Sequence, residues 1–118
     1  SFEEEISKEA SGVSDGLAFS TKQIGDEGEA LTLAHEKIWL EKNGRPDLSK
    51  LVQFIPTQFA MGFDIYSREL DATMRHIEVK TTVSQKDFTV NRVHLTPNEW
   101  SAAESHRDRY FVYRLRPE

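Results

Sequence analysis

Cysteine is absent from this chain of 118 residues, which excludes disulfide bonds and metal sites built on thiolates. Long apolar runs are missing too, since no stretch approaches the ~18 consecutive apolar residues of a membrane helix. The start of the chain carries no signal-peptide pattern. Together these absences predict an intracellular protein, cytoplasmic if its source is bacterial, that has no membrane partner.

A surplus of positive charge is also lacking. The formal net charge is −5, which argues against binding of nucleic acid driven by charge alone. The balance is uneven: residues 1–74 carry 14 acidic and 7 basic side chains, whereas residues 75–118 carry 6 acidic and 8 basic ones. A polyanionic ligand is therefore expected near the second half of the chain.

The composition is typical of one folded domain, with 37% hydrophobic and 30% charged residues. Residues 1–23 mix acidic residues, serine and glycine without periodicity, which predicts a loose N-terminal arm. Residues 24–118 are predicted to form the domain itself. Because the chain opens with Ser1 instead of methionine, we expect it to be a piece of a larger protein.

The spacing of apolar residues predicts the order helix, three or four strands, helix, strand. The first helix is expected over Gly25–Lys42, with Leu31 and Ile38 on its apolar face and the Gly44–Pro46 region ending it. Strands are predicted at 51–55, 62–67, 75–82 and 109–115, with an additional short edge strand possible at 87–91. This order indicates an α/β domain with a mixed sheet flanked by helices.

The second helix has a well-marked start in the stretch LTPNEW at 95–100. Thr96 suits the N-cap, Pro97 the first helical position and Glu99 the third, which predicts a capping box. Leu95 and Trp100 are placed for a hydrophobic staple, and Trp100 is expected in the core. The capping role is a sufficient structural explanation for Glu99.

The stretches 62–67 and 75–82 are predicted to form an antiparallel hairpin. If its centre lies near Asp71, position 64 faces position 78 and position 66 faces position 76. Residues alternate between the two faces of a strand, so one face would carry the polar set and the other the apolar set. The polar face would hold Asp64, Tyr66, His76, Glu78 and Lys80, and the apolar face Phe63, Ile65, Ile77 and Val79.

Opposed carboxylates at positions 64 and 78 repel each other, by roughly 4 kcal/mol at a separation of ~4 Å and the effective dielectric of a protein surface. A shared proton would offset this repulsion, and so would a divalent cation. Lys80 lies on the same face and would relieve part of it. Gly62, opposite Lys80 in this register, would leave room for a ligand. The plain alternative is a half-exposed strand whose charges face solvent.

The ordered motifs GxxGE (25–29), GFDI (62–65), IEVKTT (77–82), LTPNEW (95–100) and YFVYR (110–114) resemble the NO VEIN C-terminal-like domain of bacterial defence and helicase-linked proteins. An aspartate followed by Glu-x-Lys on the next strand is similar to the wider PD-(D/E)XK nuclease superfamily. The resemblance covers most of residues 24–115. It departs from the superfamily's name at Phe63, which stands in the place of proline.

This resemblance implies a restriction-endonuclease-like core and a catalytic set of Asp64, Glu78, Lys80 and Glu29. Mg²⁺ or Mn²⁺ would be held by Asp64, Glu78 and the backbone carbonyl of Val79, while Lys80 would orient or help to deprotonate the attacking water. Glu29 corresponds to the GE of the first motif. From the helix alone, Glu27 and Glu36 remain its rivals.

The expected function is metal-dependent hydrolysis of phosphodiester bonds, with double-stranded DNA as the substrate, in a larger restriction, defence or DNA-processing protein. Contacts to the nucleic acid are expected from Thr81, Thr82, Ser84, Gln85 and Lys86. Other domains or subunits, including a second copy in a homodimer, would add contacts that the acidic net charge otherwise disfavours. The alternatives are a nuclease-fold domain that binds DNA or a protein without cleaving, and a purely structural interaction module.

Overall fold

A computed structural model describes residues 21–81 and 94–116 of the protein. Its helices are α1 (Thr21–Lys42), the one-turn α2 (Pro46–Ser49) and α3 (Pro97–His106). Its strands are β1 (Gln53–Phe54), β2 (Ile65–Arg68), β3 (Met74–Thr81) and β4 (Tyr110–Leu115). Short 3₁₀ turns, Thr57–Phe59 and Arg107–Arg109, precede β2 and β4. No helix in these two stretches has the length and apolar character needed to cross a membrane.

The four strands form one mixed sheet in the order β1-β2-β3-β4. The pairs β1–β2 and β2–β3 are antiparallel, whereas β3 and β4 are parallel. A parallel pair needs a crossover connection, and α3 lies in that connection. The α/β class with a mixed sheet flanked by helices is therefore confirmed, while the optional strand at 87–91 falls outside the described residues.

The core lies on the face of the sheet that α1 and α2 cover. Alternate residues of β2 and β3 point to this face, as the period of a strand requires. The buried apolar cluster consists of Leu40, Leu48, Val52, Ile65, Ile77 and Val79, with Phe111 and Tyr113 packed against it.

Helix α1 begins earlier than predicted and buries a different face. Residues 21–23 form part of its first turn, where Lys22 pairs with Asp26 at 2.9 Å, so the arm predicted for 1–23 does not reach them; residues 1–20 lie outside the described residues. Leu31 and Ile38, predicted to face the core, are 65% and 51% exposed. The buried stripe instead comprises Ile24, Gly28, Thr32, Glu36 and Leu40.

Polar partners across the sheet explain the choice of this stripe. Gly28 lies so close to β3 that a Cβ there would stand 2.3 Å from the Thr81 hydroxyl oxygen. The Glu36 carboxylate pairs with the Arg75 guanidinium at 3.3 Å and accepts a hydrogen bond of 2.7 Å from the Tyr113 hydroxyl. Burial and Glu36 together raise the pKa of Tyr113 to about 12. Helix α1 is thus fixed to the sheet partly by an internal ion pair.

Helix α3 covers the opposite face of the sheet and is held there by an aromatic cluster. The His76 ring of β3 stacks on His106, with ring centroids 3.7 Å apart. Phe63 contacts both rings edge-on, at 4.9 and 5.7 Å between centroids. Phe63 is therefore buried as predicted but on the α3 face, since the chain turns at Gly62 before β2 begins. Trp100, predicted in the core, is 58% exposed.

Candidate functional site

The β2–β3 hairpin brings Asp64 and Glu78 to opposed positions. Ile65 pairs with Ile77 and Tyr66 with His76, which is the register that the sequence predicts. One residue before β2, the Asp64 backbone N–H donates to the Ile77 carbonyl at 2.8 Å. The pairing therefore continues to Asp64, and the predicted juxtaposition with Glu78 is confirmed.

Where the backbone hydrogen bonds between β2 and β3 end, the Asp64 carboxylate accepts the next one. Its Oδ2 accepts a hydrogen bond of 2.7 Å from the Val79 backbone N–H. Backbone N–H and C=O of one strand residue point to the same side, so the Val79 carbonyl is directed toward the same edge of β3. A carboxylate oxygen and a backbone carbonyl are thus oriented to one region by the strand itself.

Burial and mutual repulsion favour the protonated form of one carboxyl in the Asp64–Glu78 pair. Glu78 is buried, and burial together with the charge of Asp64 raises the pKa of its carboxyl to about 9. Burial also raises the pKa of Asp64, but the Val79 N–H favours its ionised form and limits that rise. We therefore place the proton on Glu78, which donates it to Asp64 in the hydrogen bond between the two side chains. A proton between the two carboxyls is one of the two ways in which their repulsion can be offset, the other being a divalent cation.

Lys80 is held between two carboxyl groups. Its ammonium nitrogen lies 3.5 Å from Glu78 Oε2 and 2.8 Å from Glu99 Oε1. Burial alone would lower the pKa of Lys80, but the hydrogen bond with Glu99 and the charge of that carboxylate help to raise it. The side chain thus remains a charged donor, suited to orienting a water or an anionic oxygen rather than to removing a proton.

Glu99 is the residue of the site that the sequence analysis assigned only to a helix cap. The capping box is confirmed: Thr96 Oγ1 accepts from the Glu99 backbone N–H at 3.2 Å, and Glu99 Oε1 accepts from the Thr96 backbone N–H at 2.9 Å. The same Oε1 accepts from Lys80. No local pattern links positions 80 and 99, because their contact depends on how α3 packs against the sheet.

Glu29 reaches the site from helix α1. It is half-buried, and burial together with the charges of Asp64 and Asp26 raises the pKa of its carboxyl to about 7. Its two rivals are set apart by the structure. Glu27 is exposed to solvent. Glu36 is buried between α1 and the sheet, where it pairs with Arg75. Of the three glutamates, Glu29 is the one whose charge interacts with the carboxyl pair.

Tyr110, at the start of β4, is a second neighbour that sequence reasoning missed. Its hydroxyl donates to the Gly62 carbonyl at 2.8 Å. Burial and the nearby charges of Glu78, Glu99 and Asp64 raise the pKa of Tyr110, so that it remains a neutral donor. The only sequence signal for it was its place at the head of the YFVYR motif.

Gly62 does not leave room for a ligand, so that expectation is wrong. A Cβ at this position would stand 2.6 Å from the Asn98 carbonyl oxygen and 2.8 Å from the Ala102 Cβ, because helix α3 occupies the space. The backbone of Gly62 is also left-handed, with φ of +83°. Its glycine is needed for the close approach of α3 to the strand that carries Asp64.

The residues predicted to contact nucleic acid are only partly placed. Thr81 is 7% exposed and faces Gly28 in the interior, so the prediction that it contacts a phosphate is wrong. Its alternation with Lys80 along β3 sends it to the α1 face. The remaining four positions, Thr82, Ser84, Gln85 and Lys86, lie outside the described residues.

The oxygen donors brought together here fit a magnesium ion. In the described stretches no three side chains of Asp, Glu, His or Cys form a group able to hold a metal ion. The Asp64–Glu78 pair and the Val79 carbonyl nevertheless supply hard oxygen donors, and Mg²⁺ is commonly bound through one or two carboxylates while it retains several waters. Burial and then the charge of Asp64 raise the pKa of Glu78, and such a cation would relieve the repulsion between the two carboxylates.

Comparison with curated proteins and with solved structures finds no match to this chain. A family model described as Protein NO VEIN, C-terminal, matches residues 28–116, a range that contains Glu29, Asp64, Glu78, Lys80 and Glu99. Since this range is most of the chain, the protein belongs to the NO VEIN C-terminal family.

Proposed function

We propose that this domain is a Mg²⁺- or Mn²⁺-dependent endonuclease of the PD-(D/E)XK type that hydrolyses phosphodiester bonds in DNA. The observation that carries the proposal is the opposed placement of the Asp64 and Glu78 carboxyls, with the Lys80 ammonium 3.5 Å from Glu78. A buried acid opposed to a half-buried one, with a lysine beside them, is costly to maintain as structure alone. They are the groups that hydrolysis of an anionic ester requires.

Each residue has a distinct proposed role. Asp64, Glu78 and the Val79 carbonyl would hold the metal ion, with the Val79 N–H fixing the Asp64 carboxylate. The ion, when bound, supplies positive charge that neutralises the phosphate and makes water a better nucleophile. Lys80, kept as an ammonium, would donate hydrogen bonds to the attacking water or to a phosphoryl oxygen as negative charge develops there. Glu29 would add a further carboxylate near Asp64.

The substrate and setting are proposed on broader grounds. The net charge of −5 predicts weak DNA binding by the domain alone, so contacts from other domains of a larger protein or from a second copy would be needed. The description of the family as the C-terminal part of a protein supports the first of these sources. An intracellular setting, a role in defence or DNA processing, and double-stranded DNA as substrate all belong to this proposal.

A second candidate is a non-cleaving domain that binds DNA or a partner protein. The observation that favours it is the lack, within residues 21–81 and 94–116, of any group of three side chains able to hold a metal ion. Both candidates make Asp64 important for structure, so loss of binding alone does not distinguish them. Metal-dependent cleavage does.

Supercoiled plasmid incubated with Mg²⁺ or Mn²⁺ provides the test. Asp64→Asn retains an acceptor for the Val79 N–H but removes the charge, and Lys80→Met removes the ammonium with similar bulk. We expect the unaltered chain to nick the plasmid only with metal, each variant to lose at least about 100-fold of that rate, and the exposed Glu104→Gln to act as an unchanged control. Nicking that both variants retain, or nicking without metal, would refute this site, and absent nicking by the longer parent protein would favour the second candidate.

A further inference from the structure

One oxygen atom, Glu99 Oε1, joins the start of helix α3 to the candidate catalytic lysine. It accepts hydrogen bonds from the Thr96 backbone N–H at 2.9 Å and from the Lys80 ammonium at 2.8 Å. The Glu99 side chain is 15% exposed, and its bond with Lys80 is partly buried. A glutamate that only capped its helix would have no need of the second bond.

Glu99 is the closer of the two carboxyl partners of Lys80. Glu78 lies at 3.5 Å, beyond ordinary hydrogen-bond distance. If Glu78 turned its oxygens to a metal ion, Glu99 would be the partner that Lys80 retains. The flexible four-carbon stem of lysine makes such a partner important, because an ammonium without one samples many rotamers.

Glu99 is itself fixed by the packing of α3. The positive end of the helix dipole and the Thr96 N–H hold its carboxylate in place. The same turn of α3 is attached to the segment that leads into β2, since the Asn98 side chain donates to the Ala60 carbonyl at 2.6 Å and the Asn98 backbone lies against Gly62. The position of the first turn of α3 therefore sets the position of the Glu99 carboxylate, and through it that of the Lys80 ammonium.

We propose that Glu99 is a positioning residue for Lys80, so that the N-terminal turn of α3 determines where the ammonium points. Its consequence for catalysis rests on the proposed nuclease function, whereas the contact itself does not. Glu99 touches neither the phosphate nor the metal ligands in this role; it acts through Lys80.

The contact is tested without metal or substrate by the rate at which Lys80 is acetylated. The intact chain is treated with N-hydroxysuccinimidyl acetate, and peptide mass spectrometry compares Lys80 with the exposed Lys50 as internal reference. In Glu99→Ala we expect Lys80 to react at least five-fold faster relative to Lys50. Glu99→Gln should fall between, since its amide oxygen still accepts both hydrogen bonds but lacks the charge.

Thr96→Ala is the matched control for damage to the helix. It removes the Thr96 Oγ1 acceptor of the Glu99 N–H but keeps the Thr96 N–H that holds the Glu99 carboxylate. We expect it to lower thermal stability as much as Glu99→Ala or more while leaving the relative labelling of Lys80 within two-fold of the unaltered chain. Equal labelling of Lys80 in Glu99→Ala and the unaltered chain would overturn the proposal, as would an equal increase in Thr96→Ala.

Plasmid cleavage adds the catalytic consequence. We expect Glu99→Ala to lower kcat at least ten-fold with KM changed less than two-fold, and Glu99→Gln to recover part of that loss. Faster labelling with unchanged kcat would overturn a positioning role in the reaction. Faster labelling in a chain whose unaltered form never cleaves would support the Glu99–Lys80 contact and refute the nuclease function, so the two failures are distinguishable.

Discussion

The substitution Glu78→Gln tests the proton that Glu78 shares with Asp64. A glutamine amide can donate a hydrogen bond to the Asp64 carboxylate, as the protonated acid does, and it cannot ionise. The variant therefore mimics the low-pH form of the site at every pH. The unaltered protein, in contrast, loses free energy of unfolding as the pH rises, because its folded form retains a proton that the unfolded form has released.

The sign and size of that effect follow from the pKa of Glu78. Its pKa is about 9 in the folded protein and 4.5 ordinarily, so between these values the folded chain holds a proton that the unfolded chain has released. Stability that is full below pH 4.5 is then lost by up to about 1.4 kcal/mol per pH unit toward pH 9. Between pH 7 and pH 9 this amounts to about 2 kcal/mol, or about 8 °C in Tm for a domain of this size.

Thermal unfolding at pH 7, 8 and 9 without divalent cations measures this difference. We expect the Tm of the unaltered protein to fall by about 8 °C more than that of Glu78→Gln over this range. The exposed Glu104→Gln should follow the unaltered protein. Parallel pH dependence in the unaltered protein and Glu78→Gln would show that Glu78 is ionised at neutral pH and would refute the shared proton.

Three further outcomes are expected. Addition of Mg²⁺ at ten times its Kd should stabilise the protein by about 1.4 kcal/mol and should have no effect on Asp64→Asn; equal shifts in both would contradict the metal site. Gly28→Ala should cost about 1–3 kcal/mol in urea unfolding, because its Cβ would stand 2.3 Å from the Thr81 hydroxyl, and Thr81→Ala in the same chain should recover much of that loss; additive costs would contradict this clash. Arg75→Met should cost about 3–5 kcal/mol because it leaves the Glu36 carboxylate buried without its charged partner, and a loss below about 1 kcal/mol would contradict that role for the ion pair.

The hairpin and the start of α3 were predictable because local rules govern them. Alternation of apolar residues fixes which face of β3 packs against α1. A slip of one residue would turn Glu78 and Lys80 into the apolar core on that face. The cap at Thr96 needs only residues that lie within one turn of each other. Both predictions therefore depend on short stretches whose neighbours along the chain are also their neighbours in space.

The buried face of α1 was not predictable from apolar spacing. The sequence offers Leu31 and Ile38 as an apolar stripe, yet the structure exposes both and buries Thr32 and Glu36 instead. The Thr32 hydroxyl donates to the Gly28 carbonyl at 2.8 Å within the helix, and the Glu36 carboxylate pairs with Arg75 and Tyr113 of the sheet. Long-range polar partners selected the face, and a periodicity argument contains no information about them.

The site shows the same division between local and distant information. The pairing of Asp64 with Glu78 follows from one hairpin, and the sequence predicts it. The contact between Glu99 and Lys80 spans 19 positions and arises from the crossover between two parallel strands. Tyr110 was unpredictable for the same reason, since only the tertiary fold brings its ring beside the acidic residues.

The bond from the Val79 N–H to the Asp64 carboxylate makes a side chain serve as the next rung of the sheet. Insertions in the turn that follows β2 and deletions within β2 itself should therefore have sharply different effects. Extra residues within the turn at 69–73 lengthen only the tip of the hairpin, and the domain should tolerate them. Deletion of one residue between Asp64 and Arg68 would turn the carboxylate to the other face and break the rung in the same event. In natural variants, length changes should accordingly be confined to the tip.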